Sequence, residues 1–106
     1  METSFEKLVQ GVNAILADAA PVNGKVWLFG SRARGDARTE SDWDLLVLLD
    51  KDRITAADMD CISYPIRELG WALGEMVNPI MYTVKDWHRK SGTPFYKNVM
   101  SEGRAL

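Results

Sequence analysis

The sequence predicts an α/β domain with a sheet of three or more strands flanked by helices. Apolar residues recur at helical spacing near the N-terminus, and three short runs of strand-forming residues follow. Segments with helix-start signals separate the later runs. Short strands joined through helices favour crossover connections, and the order of the strands is left open. With 106 residues, the chain is interpreted as one domain over residues 1–106.

The first helix is predicted over residues 5–19, where one apolar face recurs at helical spacing. Pro21 and the pair Asn23–Gly24 end this helix and turn the chain. The run KVWLFG is then a short buried strand that Gly30 closes. A second strand is predicted in DWDLLVLLD, whose continuous apolar stretch indicates burial on both faces.

The second half of the chain alternates helix and strand signals. Thr55 followed by Asp58 is typical of a helix start, and Pro65 should kink or divide the helix that follows. MVNPIMYTV predicts a third strand, in which Pro79 favours an edge position or a bulge. Two further helices are predicted, one capped by Thr83 through DWHRKS and one from residues 93–94 to 103.

Composition excludes several classes of protein. The net charge of −2 and the isoelectric point near 5.3 give no global reason to bind nucleic acid. The single cysteine, Cys61, rules out an internal disulfide and a cysteine-built metal site. The acidic N-terminus is not a signal peptide, and no apolar run approaches the roughly 20 residues that span a bilayer. The cytoplasm is therefore the expected compartment, without membrane association.

The stretch GSRARGDARTESDWDLLVLL carries two candidate sites. Gly30 and Ser31 follow a strand, where exposed backbone N–H groups can hold phosphate oxygens. Asp42 and Asp44 project from one face of a strand, and bound Mg²⁺ or Mn²⁺ would relieve their repulsion. Taken separately, each pattern also fits a plain alternative. The first could be an ordinary turn, and the second could be a pair of aspartates facing water.

In combination, the stretch resembles the signature of the DNA polymerase beta-like nucleotidyltransferases. It is most similar to their small prokaryotic branch, the minimal nucleotidyltransferases, which includes the MntA-like antitoxins. The resemblance implies the small nucleotidyltransferase fold with a mixed sheet. It assigns the nucleotide's phosphates to Gly30 and Ser31, and metal binding and catalysis to Asp42 and Asp44.

The resemblance also implies two-metal nucleotidyl transfer. One Mg²⁺ would hold the triphosphate and a second would activate an acceptor hydroxyl, with in-line displacement at the α-phosphorus releasing pyrophosphate. Arg32 and Arg34 lie beside the phosphate turn and are candidates to neutralise the nucleotide's charge. The alternative is that both are solvated arginines on an exposed turn.

Transferases of this family generally need a third carboxylate on a later strand. Asn78 aligns with that acid; its amide oxygen can ligate a metal, but the neutral side chain cannot act as a base. Glu75 is the nearest acid and is the other candidate for the third ligand. The sequence therefore favours metal and nucleotide binding over catalysis.

Two functional hypotheses follow from the resemblance. The first is a Mg-dependent transferase that moves a nucleoside monophosphate, AMP from ATP, to a hydroxyl on a partner protein. The partner would be a helical HEPN-type toxin, and this chain its antitoxin. The second is a catalytically impaired nucleotide- and metal-binding or antitoxin module that acts by protein–protein binding. Nucleotidyl transfer to an aminoglycoside is a third hypothesis, for which no acceptor pocket can be placed. Formation of a homo-oligomer is left open.

Overall fold

The structure, a computed structural model, describes residues 3–19, 24–38 and 41–106. Its core is a mixed four-stranded sheet in the order β3-β2-β1-β4 with helices packed on both faces. The strands are β1 Gly24–Phe29, β2 Trp43–Leu49, β3 Val77–Thr83 and β4 Arg104–Ala105. The helices are α1 Ser4–Asp18, α2 Ser31–Arg34, α3 Ala56–Asp58, α4 Tyr64–Ala72, α5 Val84–Arg89 and α6 Pro94–Glu102. The predicted α/β fold with a flanked mixed sheet is confirmed.

The first helix follows the predicted apolar face. Thr3 caps α1 by accepting a hydrogen bond from the backbone N–H of Glu6 at 3.1 Å, and Leu8 and Val12 are buried. The predicted turn at Pro21 and Asn23 lies outside the described residues. No helix in the described ranges is long and apolar enough to cross a bilayer.

Strand β2 lies inside the sheet and is buried on both faces, as its apolar run predicts. Leu45 and Val47 belong to the hydrophobic cluster formed with α1 and α4. Leu46 and Leu48 point the other way, into a cluster with Trp87 of α5 and residues of α6. This double burial fixes the strand rigidly between two layers, and so fixes the residues at its start.

Strand pairing corrects one expectation. β2 and β3 are parallel and joined by a crossover through α3 and α4, as predicted. β1 and β2 are antiparallel, so the expected crossover between them is wrong. The physical reason is that α2 is a single helical turn, and the connection folds back beside β1 instead of crossing the sheet.

Proline acts at the two predicted positions. Pro65 lies in the first turn of α4, directly after a π-helical turn at Met59–Ser63, so the long predicted helix is divided. Pro79 lies in β3, which is an edge strand. The short strand β4, which pairs with β1 after α6, was not predicted from the sequence.

A partly buried ion pair holds the connection after β2 in place. Lys51 Nζ lies 2.7 Å from Asp58 Oδ2, and the same oxygen accepts from the backbone N–H of Thr55 at 2.8 Å. The hydroxyl of Thr55 in return accepts from the backbone N–H of Asp58, which completes the predicted capping box. Burial alone would raise the pKa of Asp58, but the hydrogen bonds from Lys51 and Thr55 outweigh it and hold that pKa below its usual value.

We expect Asp58→Asn to lower the free energy of unfolding at pH 7 by about 1.5–3 kcal/mol, because hydrogen bonds to a charged group are lost. A lowered folded-state pKa means that this stability is present above the unfolded pKa of about 3.9 and is lost as the pH falls through the folded value. The difference between wild type and variant, measured by urea unfolding, should therefore shrink on acidification. Asp86→Asn is the control, because Asp86 pairs with Arg89 on the open surface. A difference that stays constant from pH 7 to pH 3 would contradict this assignment.

Candidate active site

The Gly-Ser turn follows β1 and closely approaches an aspartate. Gly30 has a φ of +76°, a conformation that side chains rarely adopt, and α2 begins at Ser31. A Cβ atom placed on Gly30 would lie 2.5 Å from Asp44 Oδ2. Glycine is thus required both by the backbone and by the carboxylate beside it. In α2 the backbone N–H groups of Ala33 and Arg34 donate to the Gly30 carbonyl oxygen, and the N–H groups at the very start of a helix are those that can bind a phosphate.

Asp44 lies in β2 between the two neighbouring strands β1 and β3. In the two strand ladders it is opposite Phe29 of β1 and Asn78 of β3. Burial of the carboxylate raises the pKa of Asp44, and the charge of nearby Asp42 acts in the same direction. A hydrogen bond from Asn78 and the charge of Arg34 oppose that rise. A bound cation would offset both the free-energy cost of burying the Asp44 charge and the repulsion between the two aspartates.

Asn78 joins the two aspartates. Its side-chain Nδ2 donates to Asp42 Oδ2 at 3.0 Å, and Asn78 is opposite Asp44 in the ladder between β2 and β3. Asn78 therefore lies beside both carboxylates, at the position where the family resemblance places a third acid. As oriented, its amide nitrogen faces Asp42, and its oxygen would serve as a third oxygen ligand only after the amide flips.

Glu75 lies elsewhere. Its Oε2 accepts from Trp43 Nε1 at 3.2 Å and lies 3.8 Å from Arg32 Nη2. Trp43 stands between the two aspartates in sequence, so its side chain points to the opposite face of the sheet. Among the described residues, no group of three or more His, Cys, Asp or Glu side chains is arranged to hold a metal. Of the two candidates for the third ligand, the structure brings only Asn78 to the aspartates.

The two arginines of the turn have different surroundings. Arg34 donates to Asp36 Oδ2 at 3.3 Å and to Glu102 Oε2 at 3.2 Å, and its charge acts on Asp44. The hydrogen bond to Glu102 is the main reason that the pKa of Arg34 is raised. Arg34 thus lies near the carboxylates, where a nucleotide's phosphates could compete for its guanidinium.

Arg32 contacts the segment that leads into β2. Its Nε and Nη2 donate to the backbone oxygen of Ser41 at 3.3 and 2.9 Å, and its guanidinium lies 4.3 Å from the centroid of the Trp43 ring. These contacts, together with Glu75, place the Arg32 guanidinium on the Trp43 side of the chain. The sequence alone missed this connection. The available signal was the tryptophan between the two aspartates. Because alternate side chains on a strand point to opposite faces, the Trp43 ring must lie away from the carboxylates.

The donor set fits a small hard cation. Asp42 and Asp44 provide carboxylate oxygens on one face, and Asn78 lies beside them with its amide nitrogen towards Asp42. The amide oxygen of Asn78 would ligate a metal only after the amide flips. Mg²⁺ prefers oxygen ligands of this kind and is commonly bound by one or two carboxylates together with substrate phosphates. The residues present therefore fit Mg²⁺ or Mn²⁺ held jointly with a nucleotide.

A cavity of about 640 Å³ lies at the opposite end of β2 from the aspartates. Its lining includes Lys25, Leu48, Trp87 and Tyr96, but neither aspartate. The indole N–H groups of Trp27 and Trp87 are buried and have no hydrogen-bond acceptor within the described residues. This cavity is separate from the carboxylate site.

The polymerase beta nucleotidyltransferase family model matches residues 12–106, a range that contains the Gly-Ser turn, both aspartates and Asn78. This chain belongs to that family. The predicted relationship to the polymerase beta-like nucleotidyltransferases is therefore confirmed. A curated relative from Methanocaldococcus jannaschii, described as a "putative protein adenylyltransferase", is 34% identical over 95 residues. That match covers 90% of this chain and 89% of the relative.

Solved structures share the fold of this nucleotidyltransferase. A toxin–antitoxin structure with AMP-PNP has a TM-score of 0.60 at 22% identity, covering 91% of this chain and 69% of that one. A mutant of the toxin–antitoxin MntA-HpeT has a TM-score of 0.59 at 23% identity, covering 92% and 70%. A "putative nucleotidyltransferase" from Sulfolobus solfataricus has a TM-score of 0.52 at 26% identity, covering 84% and 81%.

Proposed function

We propose that this protein binds a nucleoside triphosphate together with Mg²⁺ and transfers a nucleoside monophosphate, AMP from ATP, to a hydroxyl group of a partner protein. The observation that carries the proposal is the contact between the Gly-Ser turn and Asp44. This contact supports the proposal because the turn, whose N–H groups would receive phosphate oxygens, lies directly beside the Asp44 carboxylate. The adenylyltransferase description of the M. jannaschii relative supports AMP as the group transferred.

The roles of the residues follow from their positions. The backbone N–H groups that follow Gly30 receive phosphate oxygens, and Arg34 adds a positive charge beside them. Asp42, Asp44 and the amide oxygen of Asn78 would hold Mg²⁺, which supplies positive charge to the triphosphate and to the developing transition state. Double burial of β2 keeps the Asp44 carboxylate in place without reorganisation during the reaction.

Transfer is a substitution at the α-phosphorus. The acceptor's hydroxyl oxygen bonds to that phosphorus, the bond to the bridging oxygen of pyrophosphate breaks, and the hydroxyl proton is released. The amide of Asn78 cannot accept that proton. Within the described site, the aspartates are the groups available to receive it, and otherwise it passes to water. A slow transferase is the expected consequence.

The acceptor in this proposal is a helical HEPN-type toxin, with this chain as its antitoxin. Support comes from the fold shared with the AMP-PNP-bound toxin–antitoxin structure and with MntA-HpeT. One observation favours a second candidate function. The neutral Asn78 occupies the third position of the site, which suits a module that binds a metal and a nucleotide, and neutralises its partner by contact, without turnover.

The test incubates the protein with Mg²⁺, ATP labelled at the α-phosphate, and the product of the neighbouring gene. We expect label to appear on that partner, and labelled CTP, GTP and UTP in parallel reactions establish the nucleotide preference. In a second arm, thermal unfolding is followed with and without Mg²⁺ and ATP, since a ligand at 100 times its Kd stabilises by about 2.7 kcal/mol.

The two arms separate the candidate functions. Transfer of label supports the enzyme. Stabilisation by Mg²⁺ and ATP without transfer overturns the enzyme and leaves the binding module. If neither stabilisation nor transfer occurs, both nucleotide-based functions are wrong.

A further inference from the structure

Asp42 lies outside the hydrogen-bonded part of the sheet. The ladder between β1 and β2 reaches only to Asp44, and the ladder between β2 and β3 begins at Trp43. Asp42 is also exposed, whereas Asp44 is half-buried. Strand pairing therefore does not fix Asp42, and its position depends on how the chain on either side of it is held.

Both neighbours of Asp42 are held tightly. On one side, the carbonyl oxygen of Ser41 accepts two hydrogen bonds from Arg32. On the other, the backbone N–H of Trp43 donates to the oxygen of Met76 at 2.9 Å. The Trp43 ring stacks on Phe5, with centroids 5.6 Å apart. The residue between these anchors has little freedom to move.

Arg32 connects these anchors to the phosphate turn. It follows Ser31 directly in α2, and its guanidinium joins the carbonyl of Ser41, the face of Trp43 and the carboxylate of Glu75. The Arg32 side chain is only 17% exposed. A planar guanidinium can donate two parallel bonds while it stacks on an aromatic ring, and a lysine ammonium cannot do both.

We infer that Arg32 is a positioning residue that holds Asp42 in register with the phosphate turn, and is not itself a phosphate ligand. The inference rests on the proposed function, because it gives Asp42 the task of binding a divalent cation. It assigns the two arginines of the turn to different roles. Arg34 supplies charge beside Asp44, and Arg32 fixes the geometry of Asp42.

The test measures binding of Mn²⁺ alone, without nucleotide, by the electron paramagnetic resonance signal of the free ion. Arg32→Lys keeps the positive charge, so any change reports lost geometry rather than altered electrostatics. We expect about 10-fold weaker Mn²⁺ binding than wild type, in line with the loss of groups that orient metal ligands. Arg89→Lys is the matched control, because Arg89 forms an exposed pair with Asp86, and it should bind Mn²⁺ like wild type. A direct phosphate contact would leave this readout unchanged.

Trp43→Phe provides a second variant without a change of charge. It removes the hydrogen bond to Glu75 and shrinks the surface under the guanidinium, so Mn²⁺ binding should also weaken. Thermal unfolding of each variant identifies a temperature at which it is fully folded, and the titrations are done there. If Arg32→Lys does not fold, the Trp43→Phe titration decides.

Mn²⁺ binding by folded Arg32→Lys with the wild-type affinity would overturn the positioning role. Weaker binding of ATP by that variant, with unchanged Mn²⁺ affinity, would show that Arg32 is a phosphate ligand instead. Failure of the wild type to bind Mn²⁺, alone and with ATP, would overturn the proposed function and this inference together. Normal wild-type binding with unaffected variants overturns the inference only.

Discussion

Asp44→Asn should reduce the rate of nucleotide transfer by a factor on the order of 10² to 10³, the size of effect seen when one electrostatic contact to a transition state is removed. The same substitution should not destabilise the fold. Burial raises the pKa of Asp44, which means that folding disfavours its charged form, and asparagine removes that charge. Activity and stability are therefore expected to move independently.

Initial rates with labelled ATP and urea unfolding in the absence of metal check both parts of this prediction. Asp52→Asn is the matched control, since Asp52 is an exposed carboxylate in the connection after β2. The control should change neither quantity measurably. Full activity in Asp44→Asn would remove Asp44 from the catalytic site, and a large loss of stability would show that its role is structural.

Asn78→Asp is expected to strengthen Mg²⁺ binding and to raise the rate of transfer. The substitution places a third carboxylate opposite Asp44 and supplies a group that can accept the hydroxyl proton. Proton transfer by a positioned side chain contributes about 10²- to 10⁴-fold to a rate, which sets the range of the possible gain. Without metal, the variant should be less stable than wild type, because three carboxylates repel and the hydrogen bond to Asp42 is lost.

Thermal unfolding with and without Mg²⁺, together with transfer rates at saturating Mg²⁺, provides the measurement. We expect the melting temperature of Asn78→Asp to lie below wild type in the absence of Mg²⁺ and to gain more from its addition. Asn98→Asp on the exposed side of α6 is the control for an added charge. Lower activity and lower Mg²⁺ affinity in Asn78→Asp would contradict the prediction. They would show that the amide's donated hydrogen bond is what this site requires.

Local chemistry made most of the elements predictable from the sequence. The caps at Thr55 and Thr83, the helix start at Pro94 and the double burial of β2 depend on neighbouring residues, and each is present. The direction of β1 relative to β2 was not predictable, because it depends on how a one-turn helix packs. The two-residue strand β4 has no periodicity that could reveal it.

The candidate site, too, was only partly predictable from the sequence. The pairing of Asp42 with Asp44 on one face follows from strand geometry alone. Which of Asn78 and Glu75 joins them depends on where β3 begins. Asn78 lies in the ladder opposite Asp44, whereas Glu75 precedes β3 and accepts a hydrogen bond from Trp43. The contacts of Arg32 required the folded chain, because the acceptor at Ser41 lies nine residues later, in the connection that leads into β2.

The crossover between β2 and β3 has a consequence for the order of folding. The hydrogen bond between Asp42 and Asn78 joins residues that are 36 positions apart, with α3 and α4 between them. Closing a loop of this length costs entropy that only the completed parallel pair repays, so the site should form late in folding. A metal ion bound at this site would protect the amide protons of the whole crossover from exchange with solvent, including those of residues far from the ion.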